Sequence, residues 1–361
     1  MLKILIINTV WFRINGMSNI IMNYYRFMDK SDLKFDFVVN SEINDIYKNQ
    51  LDNNYFLLHK RKKKPFAYIK KLSEIIKKGN YDVVHIHGNS ALMQIELEAV
   101  KKSKSDCKVI VHSHNTTCSH MKLHKLLYKR FSKSYDYAIA CSDKAGEWLF
   151  RDSEYMVLKN AVDTDRFSFN HDARSEFRKK LGISEKTFVA GHVGLFNEQK
   201  NHTFLIDIFC ELQKKNPDSV LLLLGEGRLQ EQIKDKIKQL KIEDKVIFTG
   251  NVSDTENYYS VMDAFVMPSL HEGLPLTLVE AQCSGLPCII SDTITKSVKL
   301  TKNVEFLSLE DTPAKWADEI TKKVNPSDRK SYDDEIAKHG YSIKHEAAKL
   351  SDFYRKISEK R

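Results

Sequence analysis

The chain has 361 residues, 42% of them hydrophobic, and carries 57 Lys+Arg against 48 Asp+Glu for a net charge of +9. That length suits two domains with sizeable cores, and no run approaches the roughly 18 apolar residues that would cross a bilayer. The surplus charge sits in residues 1–150, with 25 basic and 14 acidic side chains, whereas residues 151–361 hold 32 and 34. Such asymmetry suggests an anionic partner surface, membrane or nucleic acid, beside the plainer reading of solubility.

The opening "MLKILIIN" is too short an apolar run for a signal peptide. It reads instead as the first of six strands in the amino-terminal half, followed by "KFDFVV", "YFLLH", "DVVHIH", "KVIVHS" and "YAIACS". The second half offers "TFVAGHV", "SVLLLLG", "KVIFTG", "AFVMPS", "CIIS" and "VEFLS". Most are continuous and rich in Val, Ile and Leu, the pattern of strands buried on both faces, and helical segments separate them. This alternation predicts an α/β chain of two doubly wound, Rossmann-like domains, 1–168 and 169–344, with a last helix at 345–361 crossing back to the first. The six cysteines (107, 118, 141, 210, 283 and 288) form no CxxC pair and read as a reduced, cytosolic set.

In open α/β sheets ligands lie beyond the carboxyl ends of the strands. The segment "PSLHEGLPLTLVEAQCSGLPCIIS" (268–291) follows one such end. Pro275 suits a first helical turn, Gly285 a left-handed cap, and Pro287 stops the helix. The helix start offers free N–H groups and a positive dipole end for phosphate, with the Thr277 hydroxyl beside it. Glu272 before the helix and Glu280 on it are hydroxyl acceptors on either side, which together describe a nucleotide-diphospho-sugar. The plainer reading makes Glu280 a solvated helix residue and Glu272 a dipole partner.

With its flanks, this segment resembles family 4 of the glycosyltransferases, retaining enzymes of the two-domain GT-B fold. The likeness extends through "GHVGLFNEQKNHTFLI", "LLLLGEG", "FTGNVSD", "LKNAVDTDRF" and "DVVHIHG", and is strongest to bacterial enzymes of capsular and exopolysaccharide synthesis. The resemblance implies that Glu280 binds the nucleotide ribose and Glu272 the donor sugar. It implies that the backbone of Gly273, Leu274, Pro275, Leu276 and Thr277 cradles the diphosphate, which Lys200 neutralises. Gly194 and Gly16 would let backbone approach the diphosphate, His114 would lie near the transferred sugar, and Asn251 and Val252 would read the base. Leu195 departs from the pattern, because the family has an arginine after the glycine at 194. Its loss removes a charged partner of the diphosphate, worth about 1.5–3 kcal/mol.

The implied chemistry needs no metal and no cofactor, the nucleotide-sugar being a co-substrate. The leaving diphosphate is stabilised by Lys200 and helix-end amides, and the acceptor hydroxyl attacks from the leaving-group side. UDP is the expected carrier, and a glycan or lipid-linked glycan the expected acceptor. Asp163–Thr164–Asp165 is read as a turn cap rather than a metal triad. The cluster His112, His114, Cys118, His120 and His124 lacks the spacing of zinc modules. No helix-turn-helix, zinc finger or aromatic RNA signature supports nucleic acid. Residues 60–78 and 121–133 combine basic and apolar faces that suit an anionic membrane, placing a cytoplasmic protein at the inner face of the cell membrane. Two other readings remain open: a non-catalytic nucleotide-sugar binder, and a GT-B sugar-nucleotide epimerase.

Overall fold

Runs of Val, Ile and Leu leave no polar face, so strands made of them need helices on both sides. The computed structural model, which describes residues 1–12, 16–43, 45–51, 54–59, 61, 63–323 and 329–359, shows this twice. The chain divides into one unit of Met1–Ala161 with Ile343–Arg361, and a second of Val162–Ser342.

In the first unit the strands are β1 (Leu2–Asn8), β2 (Leu33–Val39), β3 (Tyr55–Leu57), β4 (Val83–Gly88), β5 (Lys108–Ser113), β6 (Tyr137–Ala140) and β7 (Met156–Val157). They form a parallel sheet in the order β3-β2-β1-β4-β5-β6-β7. Six of these strands are legible in the sequence; β7, only two residues long, carries too little pattern to be read. Between them run α1 (Gly16–Phe27), α2 (Asp45–Leu51), α3 (Pro65–Gly79), α4 (Gln94–Ser103), α5 (Met121–Phe131) and α6 (Asp143–Phe150).

The second unit is a parallel sheet of β8 (Phe188–Val193), β9 (Ser219–Leu224), β10 (Val246–Gly250), β11 (Ala264–Met267), β12 (Cys288–Ser291) and β13 (Val304–Leu307), in the order β10-β9-β8-β11-β12-β13. Its helices are α7 (His171–Lys180), α8 (His202–Lys215), α9 (Gln230–Gln239), α10 (Thr255–Val261), α11 (Leu276–Cys283), α12 (Pro313–Lys323) and α13 (Asp333–Lys338). Strand periodicity sorts the core. On β9, Leu221 and Leu223 pack with Leu205, Ile206 and Phe209 of α8. Leu222 and Leu224 pack on the other face with Leu278 and Val279 of α11. Asp263, at the start of β11, receives Arg174 at 2.7 Å and the fully buried Arg178 at 2.8 Å. Because every strand pair is parallel, the loops after β8, β9, β10 and β11 share one sheet edge.

The last helix, α14 (Ile343–Glu359), belongs to the first unit. Its Tyr354 is buried and its hydroxyl lies 2.6 Å from His85 Nδ1. Arg355 pairs with Asp29 at 2.8 Å and Asp32 at 2.7 Å. No helix among the described residues is long and apolar enough to cross a membrane.

Candidate active site

Leu278, Val279 and Ala281 are fully buried and seat α11 on the sheet. The helix begins at Leu276 with Pro275 as its cap, one position later than the sequence suggests; proline lacks an N–H in either place. It ends at Cys283 with Ser284 as its cap, followed by Gly285, whose φ of +73° and close approach to Lys330 O (1.9 Å from an added Cβ) both require glycine.

Thr277 and Glu280 stand one turn apart on the less covered face. The Thr277 hydroxyl is buried without a hydrogen-bond partner, beside first-turn amides that a helix cannot satisfy internally. Glu280 Oε2 accepts a hydrogen bond from the Tyr259 hydroxyl at 2.8 Å, and the same oxygen of Tyr259 is 3.1 Å from Thr277 O. Burial pushes the Glu280 carboxyl up to about 7, against the opposing effects of Tyr259 and the positive Arg166. Burial, then the Glu280 charge, holds the Tyr259 hydroxyl well above its usual range. Arg166 is itself held by Glu256 at 2.7 Å.

Lys200 and Glu272 form an ion pair of 2.7 Å, with side chains only 14% and 10% exposed. Backbone fixes both partners. Asn197 Oδ1 caps Lys200 N at 3.1 Å. Leu270 N donates to Gln199 O at 2.8 Å, Gln199 Nε2 to His271 O at 3.0 Å, and Asn201 Nδ2 to Pro268 O at 3.1 Å. The Lys200 stem lies across Gly194, where an added Cβ would stand 3.0 Å from Lys200 Cε. Gly194 in turn meets Gly225, whose backbone approach and φ of +125° exclude a side chain. Leu195 is 61% exposed. Asn251 donates to Glu226 Oε2 at 2.8 Å, and Val252 packs on the core. Gly273 is exposed and Leu274 packs on the core edge. Asp163 Oδ1 accepts from Arg166 N at 3.3 Å, a turn cap as read.

In the first unit Gly16 is the first residue of α1 rather than a loop position, and a Cβ added there meets nothing within 4 Å. His114 follows β5, and its Nε2 lies 2.9 Å from His87 Nδ1. These two belong to a stack with His85 and His112, made because β4 and β5 pair with His87 opposite His112. Burial drives His85 and His114 down to about 3, so both rings are neutral. The sequence signal for His85 and His87 was the repeated His-x-His on adjacent strands; Tyr259 carried none. Ring nitrogens of His85, His87 and His112 lie within 4.8 Å of one another. The rings stack at 11–37°, which aims their lone pairs in near-parallel planes rather than at one tetrahedral point. His124 stands apart, stacked on Trp148 and accepting from Ala91 N at 3.1 Å.

A cavity of about 220 Å³ opens beyond β1, β4 and β5, lined by Thr9, Asn89, Ser90, Asn115, Thr117 and Ser119 among others. Arg61 lies in its wall, and both of its Glu96 bonds (2.6 and 2.7 Å) are buried. Within the basic stretch of residues 60–78, Arg61 is thus committed to Glu96 rather than to a surface, and Lys60 and Lys62 fall outside the described residues. On α5, Phe131 is buried, while Leu123 (42%) and Leu126 (77%) are exposed beside Lys122, Lys125 and Lys129.

The family model for group 1 glycosyl transferases matches residues 173–339, and that for glycosyltransferase family 4 matches residues 14–166. The chain is similar to EpsF of Bacillus subtilis, named as a glycosyltransferase, with 31% identity over 364 residues, 96% of this chain and 94% of EpsF. It is 29% identical, over 61% of its length and 60% of the relative's, to an Escherichia coli UDP-Gal:alpha-D-GlcNAc-diphosphoundecaprenol alpha-1,3-galactosyltransferase. Among solved structures, Anabaena HepE in complex with UDP matches at TM-score 0.72 and 16% identity over 99% of both chains. A Rickettsia africae glycosyltransferase matches at TM-score 0.76 and 18% identity over 100% of this chain and 99% of that one. The two parallel-sheet units are thus those of the GT-B fold, and the chain belongs to family 4 of the glycosyltransferases.

Proposed function

We propose that the protein is a retaining, metal-independent hexosyltransferase that moves a sugar from a UDP-sugar to a hydroxyl of a lipid-linked glycan in cell-surface polysaccharide synthesis. The observation that carries this reading is the buried, unpartnered Thr277 hydroxyl at the start of α11. A buried polar atom without a partner calls for a ligand, and a helix start calls for an anion. The diphosphate lies against the backbone N–H groups of Gly273, Leu274, Leu276 and Thr277 and against Lys200. Glu280 accepts the ribose hydroxyls, Glu272 those of the sugar, and Asn251 and Val252 meet the base. As the sugar–phosphate bond breaks, Lys200 and the helix amides hold the charge that develops on the leaving diphosphate. The acceptor hydroxyl attacks from the same side and a diphosphate oxygen takes its proton, so the two glutamates bind rather than act as an acid and nucleophile.

The UDP carrier is supported by HepE structures described with UDP and with UDP-glucose. A lipid-linked acceptor is supported by the named substrate of the Escherichia coli relative, and by the exposed leucines and lysines of α5. The amide- and hydroxyl-lined cavity of the first unit suits an uncharged acceptor sugar. Leu195 favours a second reading, a nucleotide-sugar binder without turnover. Thermal-shift screening against nucleotide sugars, followed by assay of the stabilising one, tests both. Stabilisation by a UDP-sugar with release of UDP supports the transferase. Stabilisation without release supports the binder, a new sugar nucleotide shows an epimerase, and no stabilisation sinks the proposal.

A further inference from the structure

The Lys200–Glu272 pair joins the cation assigned to the diphosphate directly to the carboxylate assigned to the sugar, at 2.7 Å. Resting on the donor reading above, we infer that Glu272 is a specificity-determining residue that makes the site favour an intact nucleotide-diphospho-sugar over the spent nucleoside diphosphate.

The argument is one of exchange. Both side chains are largely covered, so neither water nor salt relieves a charge left alone there. The three hydrogen bonds that tie residues 199–201 to residues 268–271 keep the two partners close, so they cannot part by a free swing of one loop. A diphosphate that takes Lys200 therefore meets the Glu272 carboxylate beside it and is repelled. A carboxylate only accepts hydrogen bonds, and a diphosphate ester has none to give, whereas sugar hydroxyls have several. The intact donor thus compensates both partners: the diphosphate engages Lys200 while the sugar engages Glu272. After transfer the sugar is gone, Glu272 reclaims Lys200, and the nucleoside diphosphate is displaced.

The test is calorimetric binding of UDP and of UDP-glucose, UDP-galactose and UDP-N-acetylglucosamine to the full chain and to Glu272→Gln. The substitution keeps the shape of the side chain, and circular dichroism checks the fold. Removing the competing charge is expected to tighten UDP binding about tenfold and to lower the inhibition constant of UDP by the same factor. Binding of the preferred UDP-sugar is expected to tighten less, so that discrimination between the two shrinks. The UDP arm does not depend on which sugar is the donor. UDP affinity that is unchanged or weaker in Glu272→Gln overturns the exchange while leaving the donor site intact. Failure of the unsubstituted protein to bind any of these nucleotides overturns both readings.

Discussion

The Tyr259 hydroxyl donates to Glu280 Oε2 across 2.8 Å, and the two residues, 21 positions apart in sequence, are joined by nothing in their local pattern. This bond stabilises the charged form of a carboxyl that burial raises, the balance lying at about 7. In the proposed site Glu280 would accept ribose hydroxyls best as a carboxylate, so nucleotide affinity is expected to rise with pH through about 7. The limiting slope is about 1.4 kcal/mol per pH unit on the acid side. Tyr259→Phe should move the midpoint to higher pH, and Glu280→Gln should weaken binding and flatten the profile. For stability the sign is opposite. A raised carboxyl contributes fully below its unfolded value of 4.5 and loses that contribution as pH rises through about 7. Glu280→Gln should therefore melt at a higher temperature than the parent at pH 8. Calorimetric titration and thermal scans across pH 5–9 check all three.

Lys200→Ala removes the cation that the proposed function assigns to the leaving diphosphate and takes from Glu272 its ion-pair partner. A turnover loss of roughly 10²–10³-fold is expected, in the range seen when one stabilising donor is deleted. Steady-state kinetics with a saturating donor measure it.

Leu195→Arg should raise turnover. Leu195 is 61% exposed, so its removal opens no cavity. On the proposed donor site, a guanidinium there would give the diphosphate a charged partner, worth at most about 1.5–3 kcal/mol. Turnover equal to that of the parent would show that another group already fills this role.

The stacked histidines make the first unit sensitive to acid. His85 and His114 fall from an unfolded value of 6.5 to about 3, and burial lowers His87 and His112 as well. A depressed histidine contributes its full stability above about 6.5, and the contribution is lost as pH falls toward 3, by up to about 1.4 kcal/mol per pH unit for each ring. Denaturant midpoints should drop steeply between pH 6 and 4. His112→Phe, which keeps the stack but removes two unpartnered nitrogens, should soften that drop.

If α5 rests on anionic lipid, vesicles containing phosphatidylglycerol should bind the protein at low salt and release it as salt rises. Leu126→Ser should weaken binding without changing the circular dichroism, since Leu126 is 77% exposed. Sedimentation with vesicles reads this directly, and no binding at low salt would sink the membrane contact.

The strands were legible because burial on both faces writes itself as uninterrupted Val, Ile and Leu, and the end of α11 because only glycine fits the backbone at 285. What the sequence hid was pairing across the fold. Nothing local says that Tyr259 reaches Glu280, that Glu272 reaches Lys200, or that Arg61 turns inward to Glu96 instead of joining its lysine neighbours. Charge composition gives the number of basic residues in 60–78 but not which of them are already neutralised, as Arg61 is.

Tyr354 binds His85 of β4 and Arg355 binds Asp29 and Asp32, so the first unit takes α14 from beyond the second unit in sequence. On a ribosome, residues 162–342 emerge before that helix is made. Until α14 is made, His85 lacks Tyr354 and Asp29 and Asp32 lack Arg355. Order of synthesis and order of completion are thus reversed, and a stop codon near residue 343 would harm the half of the protein translated first.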